Sequence, residues 1–213
     1  MEIIKCMGKS CKDCDLAESD LERVVGVLRK GQLVVYPTET LYGLGANALD
    51  ETAVKRVFIA KKRPFDMPIS IAVSDVQMME NVAVLDSVSR KLAQKFMPGP
   101  ITLVLKKKPK VPDLVTAATD EVGIRMPDHQ IALKVIHKFG PITSTSANVH
   151  ARPDPVSVKS TVKEMGDSVS VYLDCGSTKL GQHSTIIAVH NEEMEVIRQG
   201  VIPVKEIEAV IHG

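Results

Sequence analysis

Residues 33–45 read LVVYPTETLYGLG, an apolar strand that runs directly into a polar, glycine-bordered segment. Residues 33–36 have the length and apolarity of a short buried strand, and Pro37 ends it. Two threonine hydroxyls and two glycines follow, and glycines let backbone N–H groups approach an anion or a ligand closely. The segment is neither a P-loop nor a G-x-G-x-x-G motif, because the lysine and the spacing are absent. Taken alone, it is equally consistent with a tight turn.

Outward from this segment, apolar periodicity predicts a mixture of strands and helices. The predicted strands are 33–36, 69–73, 101–105, 122–126, 141–145, 169–173, 184–189 and 194–197. The predicted helices are 19–30, one capped by Asp50, one capped by Asp86 or Ser87 that runs to residue 96, 128–138, 157–165 and 204–211. This order predicts a mixed α/β (α+β) fold with a twisted, partly parallel sheet flanked by helices. We expect one domain over residues 1–213, with residues 1–17 as a candidate mobile segment.

Composition excludes several classes of protein. The 213 residues contain 27 Lys and Arg against 26 Asp and Glu, so a general polyanion binder with a large basic excess is not expected. Aromatic residues make up 3% and Trp is absent, which argues against base-stacking platforms. No apolar run approaches the ~18 residues of a membrane span, and residues 1–12 lack the apolar stretch of a signal peptide. We therefore expect a cytoplasmic protein with no membrane partner.

The cysteines leave one question open. Cys6, Cys11 and Cys14 form a C-x4-C-x2-C cluster, and Cys175 stands far along the chain. The cluster is compatible with a zinc site, but such a site needs a fourth ligand and none lies nearby in the sequence. The alternative is a set of reduced thiols on a mobile N-terminal loop. The sequence alone assigns no metal ligand.

Other polar segments also lie beside apolar strands, where ligands gather in sheets flanked by helices. They are Lys61-Lys62-Arg63-Pro64, Arg125 near a strand end, the hydroxyl-rich run 142–148 (ITSTSAN), Ser184 with Thr185, and Arg198 before Gly200. Each has a plainer interpretation: a solvated helix end, a structural ion pair, or an Asx or Ser/Thr turn. These segments contain no paired carboxylates, no H-E-x-x-H motif and no Ser/His/Asp set. Hydroxyls, an amide, glycines and cations suit phosphate chemistry by positioning and charge neutralisation.

Together the segments resemble the YrdC-like family of threonylcarbamoyl-adenylate synthases, in its single-domain form. The matching pieces follow one another in family order from about residue 18 to 210. They are 36–46 (YPTETLYGLGA), the K-x-R of Lys61 and Arg63, 98–105 (PGPITLVL), the strand at 122–127, the S-x-N of Ser146 and Asn148, 184–186 (STI), and Arg198.

The resemblance implies a concave sheet with a basic cavity. It also implies synthesis of threonylcarbamoyl-AMP and pyrophosphate from L-threonine, bicarbonate and ATP, with Mg²⁺. A separate complex would pass the threonylcarbamoyl group to tRNA. By position, Lys61, Arg63, Ser146 and Asn148 would be catalytic and hold the triphosphate, and Arg198 would bind the nucleotide. The implied threonine-binding residues are Thr40, Arg125, Ser144 and Ser184.

The chain departs from the family pattern at five positions. Ala72 stands where some relatives have a histidine near the threonine, and His183 replaces a frequent glutamate. The S-x-N motif is usually followed by Ser-Gly, but here His150 and Ala151 follow. Asp154 stands where a serine is common.

Two alternatives stay open on the sequence. One is a non-catalytic module that binds double-stranded RNA or tRNA directly, since a basic concavity can also accept an RNA backbone. The other is a carbamoyl-adenylating enzyme that uses carbamoyl phosphate, as YrdC-like domains in hydrogenase maturation proteins do.

Overall fold

The structure is a computed structural model that describes residues 1–8 and 14–212. Within these residues the strands are β1 (Glu2–Lys5), β2 (Val34–Tyr36), β3 (Gly43–Gly45), β4 (Ser70–Ala72), β5 (Ile101–Lys106), β6 (Glu121–Arg125), β7 (Ile142–Ser146), β8 (Val171–Asp174), β9 (Thr185–His190) and β10 (Glu193–Arg198). The α-helices are α1 (Glu18–Arg29), α2 (Glu51–Lys61), α3 (Val76–Val82), α4 (Ser87–Phe96), α5 (Gln130–Phe139), α6 (Val158–Met165) and α7 (Val204–His212).

The strands form one mixed sheet in the order β1-β8-β2-β3-β7-β4-β6-β5-β9-β10. The pairs β1–β8, β2–β8, β4–β6 and β5–β9 are parallel, and the remaining neighbours are antiparallel. The predicted fold class, a partly parallel mixed sheet flanked by helices, is therefore confirmed.

Local sequence signals set several helix ends. The Asp50 carboxylate accepts hydrogen bonds from the Thr52 and Ala53 amides and begins α2 as predicted. Asp86 begins α4 through a capping box with Ser89. Helix α2 ends at Lys62, which adopts a left-handed conformation (φ 50°) and turns the chain toward Arg63.

Helices cover the two faces of the sheet unequally. One face packs against α2, α3, α4, α6 and α7 in a continuous apolar core that includes Ile71, Leu103 and Ile124. The other face packs against α1 and α5 through a second, smaller apolar cluster. Beyond the reach of α1 and α5, this second face carries polar side chains instead. The uncovered part of the sheet is where the site described below lies.

Three elements were not predicted. Residues 2–5, within the candidate mobile segment, form β1 and pair in parallel with β8. Residues 43–45, read as part of a turn, form the central strand β3 between β2 and β7. Helix α3 begins at the unrecognised cap Asp75, whose carboxylate accepts from the Met78 amide. None of the helices in the described part of the chain is both long enough and apolar enough to cross a membrane.

Candidate active site

A cavity of about 260 Å³ opens on the uncovered face of the sheet. We call it the central cavity. Seven of the nine predicted site residues line it: Thr40, Arg63, Arg125, Ser144, Ser146, Ser184 and Arg198. The register explains this convergence, because paired residues on neighbouring strands point to the same face. Ser70 of β4 pairs with Ser144 of β7, and Thr102 of β5 pairs with Ile186 of β9.

Arg125 lies at the end of β6 and is held by the 36–46 segment. Its Nη2 donates to Glu39 Oε1 at 2.8 Å and to Thr40 Oγ1 at 2.6 Å. The Arg125 and Glu39 side chains are only 10% and 5% exposed, so this is a buried ion pair. Glu39 Oε2 also accepts from the Asp128 amide at 3.1 Å, which fixes the carboxylate from both sides. Arg125 therefore forms a structural ion pair, which the sequence left open as the alternative to ligand binding. It also borders the central cavity.

The predicted phosphate-binding residue Lys61 does not line the cavity. It is 1% exposed, and its ammonium donates to the Ser146 carbonyl, to the Asn148 carbonyl at 2.7 Å and to Asn148 Oδ1 at 3.3 Å. Burial, with a smaller effect from the neighbouring Arg63, lowers the pKa of Lys61 to about 7. Lys61 thus lies directly beneath the 146–148 turn and holds its carbonyls.

Asn148 also lies beneath the cavity wall. Its Oδ1 accepts from Ser146 Oγ at 2.6 Å, and its Nδ2 donates to the Arg152 carbonyl at 2.8 Å. Ser146 itself reaches the cavity. Lys61, Ser146 and Asn148 are therefore brought together as predicted, but only Ser146 of the three contacts the open space.

Arg63 enters the cavity from the turn after α2. Its Nε donates to the Met67 carbonyl at 3.2 Å and its Nη2 to the Pro68 carbonyl at 2.9 Å. Burial lowers the pKa of the Arg63 guanidinium, although an arginine stays charged at neutral pH. The backbone of the 64–68 turn thus orients a cation toward the cavity.

Arg198 and Ser184 form the opposite side. Arg198 Nε and Nη2 donate to the Ser184 carbonyl at 3.3 and 3.0 Å, and Ser184 Oγ lies 2.9 Å from Thr102 Oγ1. A register irregularity between Val196 and Arg198 sets Arg198 opposite the cavity-lining Ile186. Burial, then the charge of Arg125, lowers the pKa of Arg198. The second cause means that two guanidinium groups repel each other across this space.

Gly123 keeps the cavity floor open. A Cβ on Gly123 would lie 2.6 Å from Ser70 Oγ and 3.3 Å from Thr102 Cγ2, and both residues line the cavity. Gly43 instead makes room for the fully buried Tyr36, its pairing partner on β2, because a Cβ on Gly43 would lie 2.6 Å from the Tyr36 ring. Sequence reasoning gave no role to Gly123, Ser70, Thr102 or Glu39. The signal it lacked was strand pairing, which cannot be read from any single segment.

The departures from the family pattern have identifiable surroundings. Ala72 is fully buried in the cluster under α1 and α5 and pairs with Arg125. The His150 amide donates to the Lys61 carbonyl at 2.7 Å, and Ala151 has a φ of 60°. Asp154 Oδ1 lies 3.1 Å from His183 Nε2, and His183 lines the cavity.

The charges predict an anionic ligand. Arg63, Arg125 and Arg198 all border the cavity, and its lining, as far as the chain is described, includes no Asp or Glu. Several hydroxyls face the same space, and arginine forks match carboxylates and phosphates. Among the described residues Glu39 is the one buried acidic side chain, so these grouped cations are best stabilised by a bound anion. The cavity can therefore hold a ligand that carries phosphate or carboxylate groups.

A family model described as "Sua5_yciO_yrdC: Telomere recombination" matches residues 26–200. The threonylcarbamoyl-AMP synthase of Pyrococcus abyssi is 41% identical over 198 residues, which cover 92% of this chain and 58% of that protein. A putative threonylcarbamoyl-AMP synthase of Methanocaldococcus jannaschii is 39% identical over 204 residues, covering 94% of this chain and 97% of that protein.

A solved structure from the same family is also similar to this chain in its fold. The crystal structure of P. abyssi Sua5 complexed with L-threonine superposes with a TM-score of 0.93 at 39% identity, covering 99% of this chain and 61% of that one. This chain therefore spans about three fifths of the length of the P. abyssi protein and nearly all of the M. jannaschii protein.

Proposed function

Because this chain belongs to the Sua5/YciO/YrdC family, we propose that it joins L-threonine, bicarbonate and ATP into threonylcarbamoyl-adenylate with release of pyrophosphate. The observation that carries the proposal is the central cavity itself, where three arginines and several hydroxyls converge and the described residues contribute no lining carboxylate. The threonine named in the P. abyssi complex and the synthase name of both relatives support this choice of substrates. They also favour the synthase over a module that only binds RNA.

In this proposal threonine binds at the Arg125 side of the cavity. Arg125 would pair with the threonine carboxylate, while its bond to Glu39 keeps the guanidinium oriented. Thr40, Ser144 and Ser184 offer hydroxyls around the same space, so they would bind the amine and hydroxyl of the amino acid. The threonine amine would then point toward the cavity centre, where it can attack the carbon of bicarbonate, form the C–N bond and give a carbamate with loss of water.

The nucleotide would lie across the Arg63 side. Arg63, Ser146 and Arg198 would contact phosphate or ribose oxygens directly. Lys61 and Asn148 would act from beneath, by fixing the 146–148 turn and adding positive charge close to the phosphates. The carbamate oxygen would attack the α-phosphorus, and the cations would offset the charge that develops on the departing pyrophosphate.

Mg²⁺ fits this arrangement as a companion of the nucleotide. Mg²⁺ prefers oxygen ligands and is commonly held by substrate phosphates with few protein groups. The described lining supplies hydroxyl oxygens such as that of Ser146 but no carboxylate. The triphosphate would therefore provide most of its ligands, and the ion would supply further neutralisation of phosphate charge when bound.

We further propose that the product leaves this protein for a separate complex that transfers the threonylcarbamoyl group to tRNA in the cytoplasm. This step is supported by the name of both relatives, which identifies threonylcarbamoyl-AMP as the product. Threonylcarbamoyl-AMP is an activated donor, so a further reaction must transfer its threonylcarbamoyl group to an acceptor.

The experiment is pyrophosphate release from ATP with threonine and bicarbonate omitted in turn. We expect release to depend on both, and release that ignores both would end the proposal. Carbamoyl phosphate replaces bicarbonate and threonine in a parallel reaction, and turnover only there would identify the carbamoyl-adenylating alternative. RNA affinity that falls steeply with salt, without any turnover, would identify the RNA-binding alternative.

A further inference from the structure

A cluster of thiols and an imidazole lies outside the central cavity. The ligand atoms of Cys14, His129 and Cys175 all lie within 4.8 Å of one another, and Cys14 Sγ is 3.9 Å from His129 Nε2. The three residues are 3%, 6% and 8% exposed. Residues 14, 129 and 175 are far apart in the sequence, so only the fold brings them together.

Cys6 joins this group through the pairing of β1 with β8. Lys5 pairs with Asp174, and the Cys6 amide donates to the Asp174 carbonyl at 2.9 Å, which sets Cys6 beside Cys175. An antiparallel bridge between Met7 and Asp15 then returns the chain so that Cys14 comes back to the same place. Cys11, the remaining cysteine of the C-x4-C-x2-C motif, lies outside the described residues.

The donor atoms of the cluster suit a metal ion. The Cys6 and Cys175 side chains are in hydrogen-bond contact, and Cys14 lies beside them. Cysteine sulfur and histidine nitrogen are the ligands that zinc prefers. A pair of cysteines awaiting a disulfide would not explain why an imidazole completes the group.

Zinc matches both the ligand types and the spacing. Structural zinc sites are tetrahedral and use Cys₃His sets, with bonds of about 2.3 Å to sulfur and about 2.0–2.1 Å to nitrogen. Ligand atoms around such an ion lie roughly 3.5–4 Å apart by tetrahedral geometry. Cys14, His129 and Cys175 are separated by 4.8 Å or less and require only a small contraction, while Cys6 would have to turn its thiol toward the other three ligands.

We propose that Cys6, Cys14, His129 and Cys175 form a structural zinc site that fastens the N-terminal segment to the body of the domain. Four protein ligands leave no open coordination position, so the ion would serve structure and not chemistry. No further ligand lies close to the N-terminal cysteines in the sequence. In the structure, His129 at the start of α5 and Cys175 after β8 provide the two missing ligands.

The site would also support the central cavity from behind. The Cys175 amide donates to Tyr42 Oη at 3.1 Å, and Tyr42 is a cavity-lining residue. His129 follows Asp128, whose amide holds the Glu39 carboxylate that orients Arg125. The loss of zinc would therefore loosen two contacts that shape the cavity wall.

The test uses the full chain, purified without an affinity tag or chelator, and measures metal by plasma mass spectrometry. We expect about one zinc per chain, and loss of that zinc in Cys175→Ala and His129→Ala. His137→Ala is the matched control, because His137 lies in α5, the helix that His129 precedes as N-cap, but its side chain is 80% exposed, and this variant should keep its zinc. Chelator treatment should lower the Tm of the wild type, and added Zn²⁺ should restore it.

A second measurement does not depend on the variants folding. Cobalt substituted into the wild-type protein should give the intense visible bands of a tetrahedral, thiolate-ligated ion. Absence of zinc together with no response to added Zn²⁺ or Co²⁺ would overturn the proposal. So would iron with a sulfide charge-transfer spectrum, or a Cys14–Cys175 disulfide in metal-free protein.

Discussion

We assign Arg125 a structural role and a role in threonine binding, and one double substitution distinguishes the two. It forms a buried ion pair with Glu39 at 2.8 Å, and it faces the cavity where a threonine carboxylate would bind. Arg125→Met should damage both fold stability and threonine use. Adding Glu39→Gln should repair the stability but leave threonine use impaired, because the carboxylate-binding fork is still missing.

The magnitudes follow from the burial of the pair. Removing one partner leaves an uncompensated buried charge, which costs about 3–5 kcal/mol of unfolding free energy. Glu39→Gln removes that charge and keeps an acceptor for the Asp128 amide, so the double variant should recover about 2 kcal/mol or more. Loss of charged hydrogen bonds to threonine costs about 1.5–3 kcal/mol, which raises the KM for threonine about 10- to 150-fold.

Urea unfolding followed by circular dichroism gives the stabilities, and threonine-dependent pyrophosphate release gives the KM. The control is Arg23→Met, whose exposed pair with Glu2 should matter to neither quantity. If the double variant regains wild-type KM along with its stability, Arg125 acts only through the ion pair and the reasoning is refuted.

Three further outcomes are expected. Gly123→Val should fill the cavity floor beside Ser70 and reduce threonine-dependent turnover at least tenfold, with the circular dichroism spectrum unchanged; full activity would contradict the assigned cavity. The pKa of Lys61 is about 7 when folded against its ordinary 10.5, so the unfolded chain binds more protons between these values and stability should rise with pH across that window. The rise, a few kcal/mol at about 1.4 per pKa unit, should vanish in Lys61→Met and persist in Lys62→Asn, as measured by urea unfolding at each pH. Asp50→Ala should cost about 1 kcal/mol of unfolding free energy without changing KM, because it removes only the cap of α2.

Much of the fold could be predicted because its signals are local. Asp50 and Asp86 each begin the predicted helix, and the apolar runs at 101–105 and 122–126 became β5 and β6. Strand β3 was missed because it consists of Gly43, Leu44 and Gly45, and glycine carries no strand propensity. Its pairing with β7 depends on partners about a hundred residues away.

The residue types of the site could be predicted from the sequence, but the burial of each side chain could not. Arg125 and Arg198 were chosen as single cations beside strands, Arg63 was chosen as part of a cationic run after a helix, and all three border one cavity. Burial was the missing quantity for Lys61, since a charged side chain that is 1% exposed violates the usual expectation for lysine. The proximity of Cys175 and His129 to Cys14 was equally hidden, because it arises only from the pairing of β1 with β8 and the position of α5.

We propose that one cavity binds threonine beside ATP and that the carbamoyl group of the product comes from bicarbonate. The most direct measurement is mass spectrometry of the adenylate formed from ATP, threonine and ¹³C-labelled bicarbonate. We predict a threonylcarbamoyl-AMP ion that carries the label and whose rate of formation at low threonine falls about 10- to 150-fold in Arg125→Met/Glu39→Gln. An unlabelled product, or a labelled product formed equally well by that variant, would contradict the account.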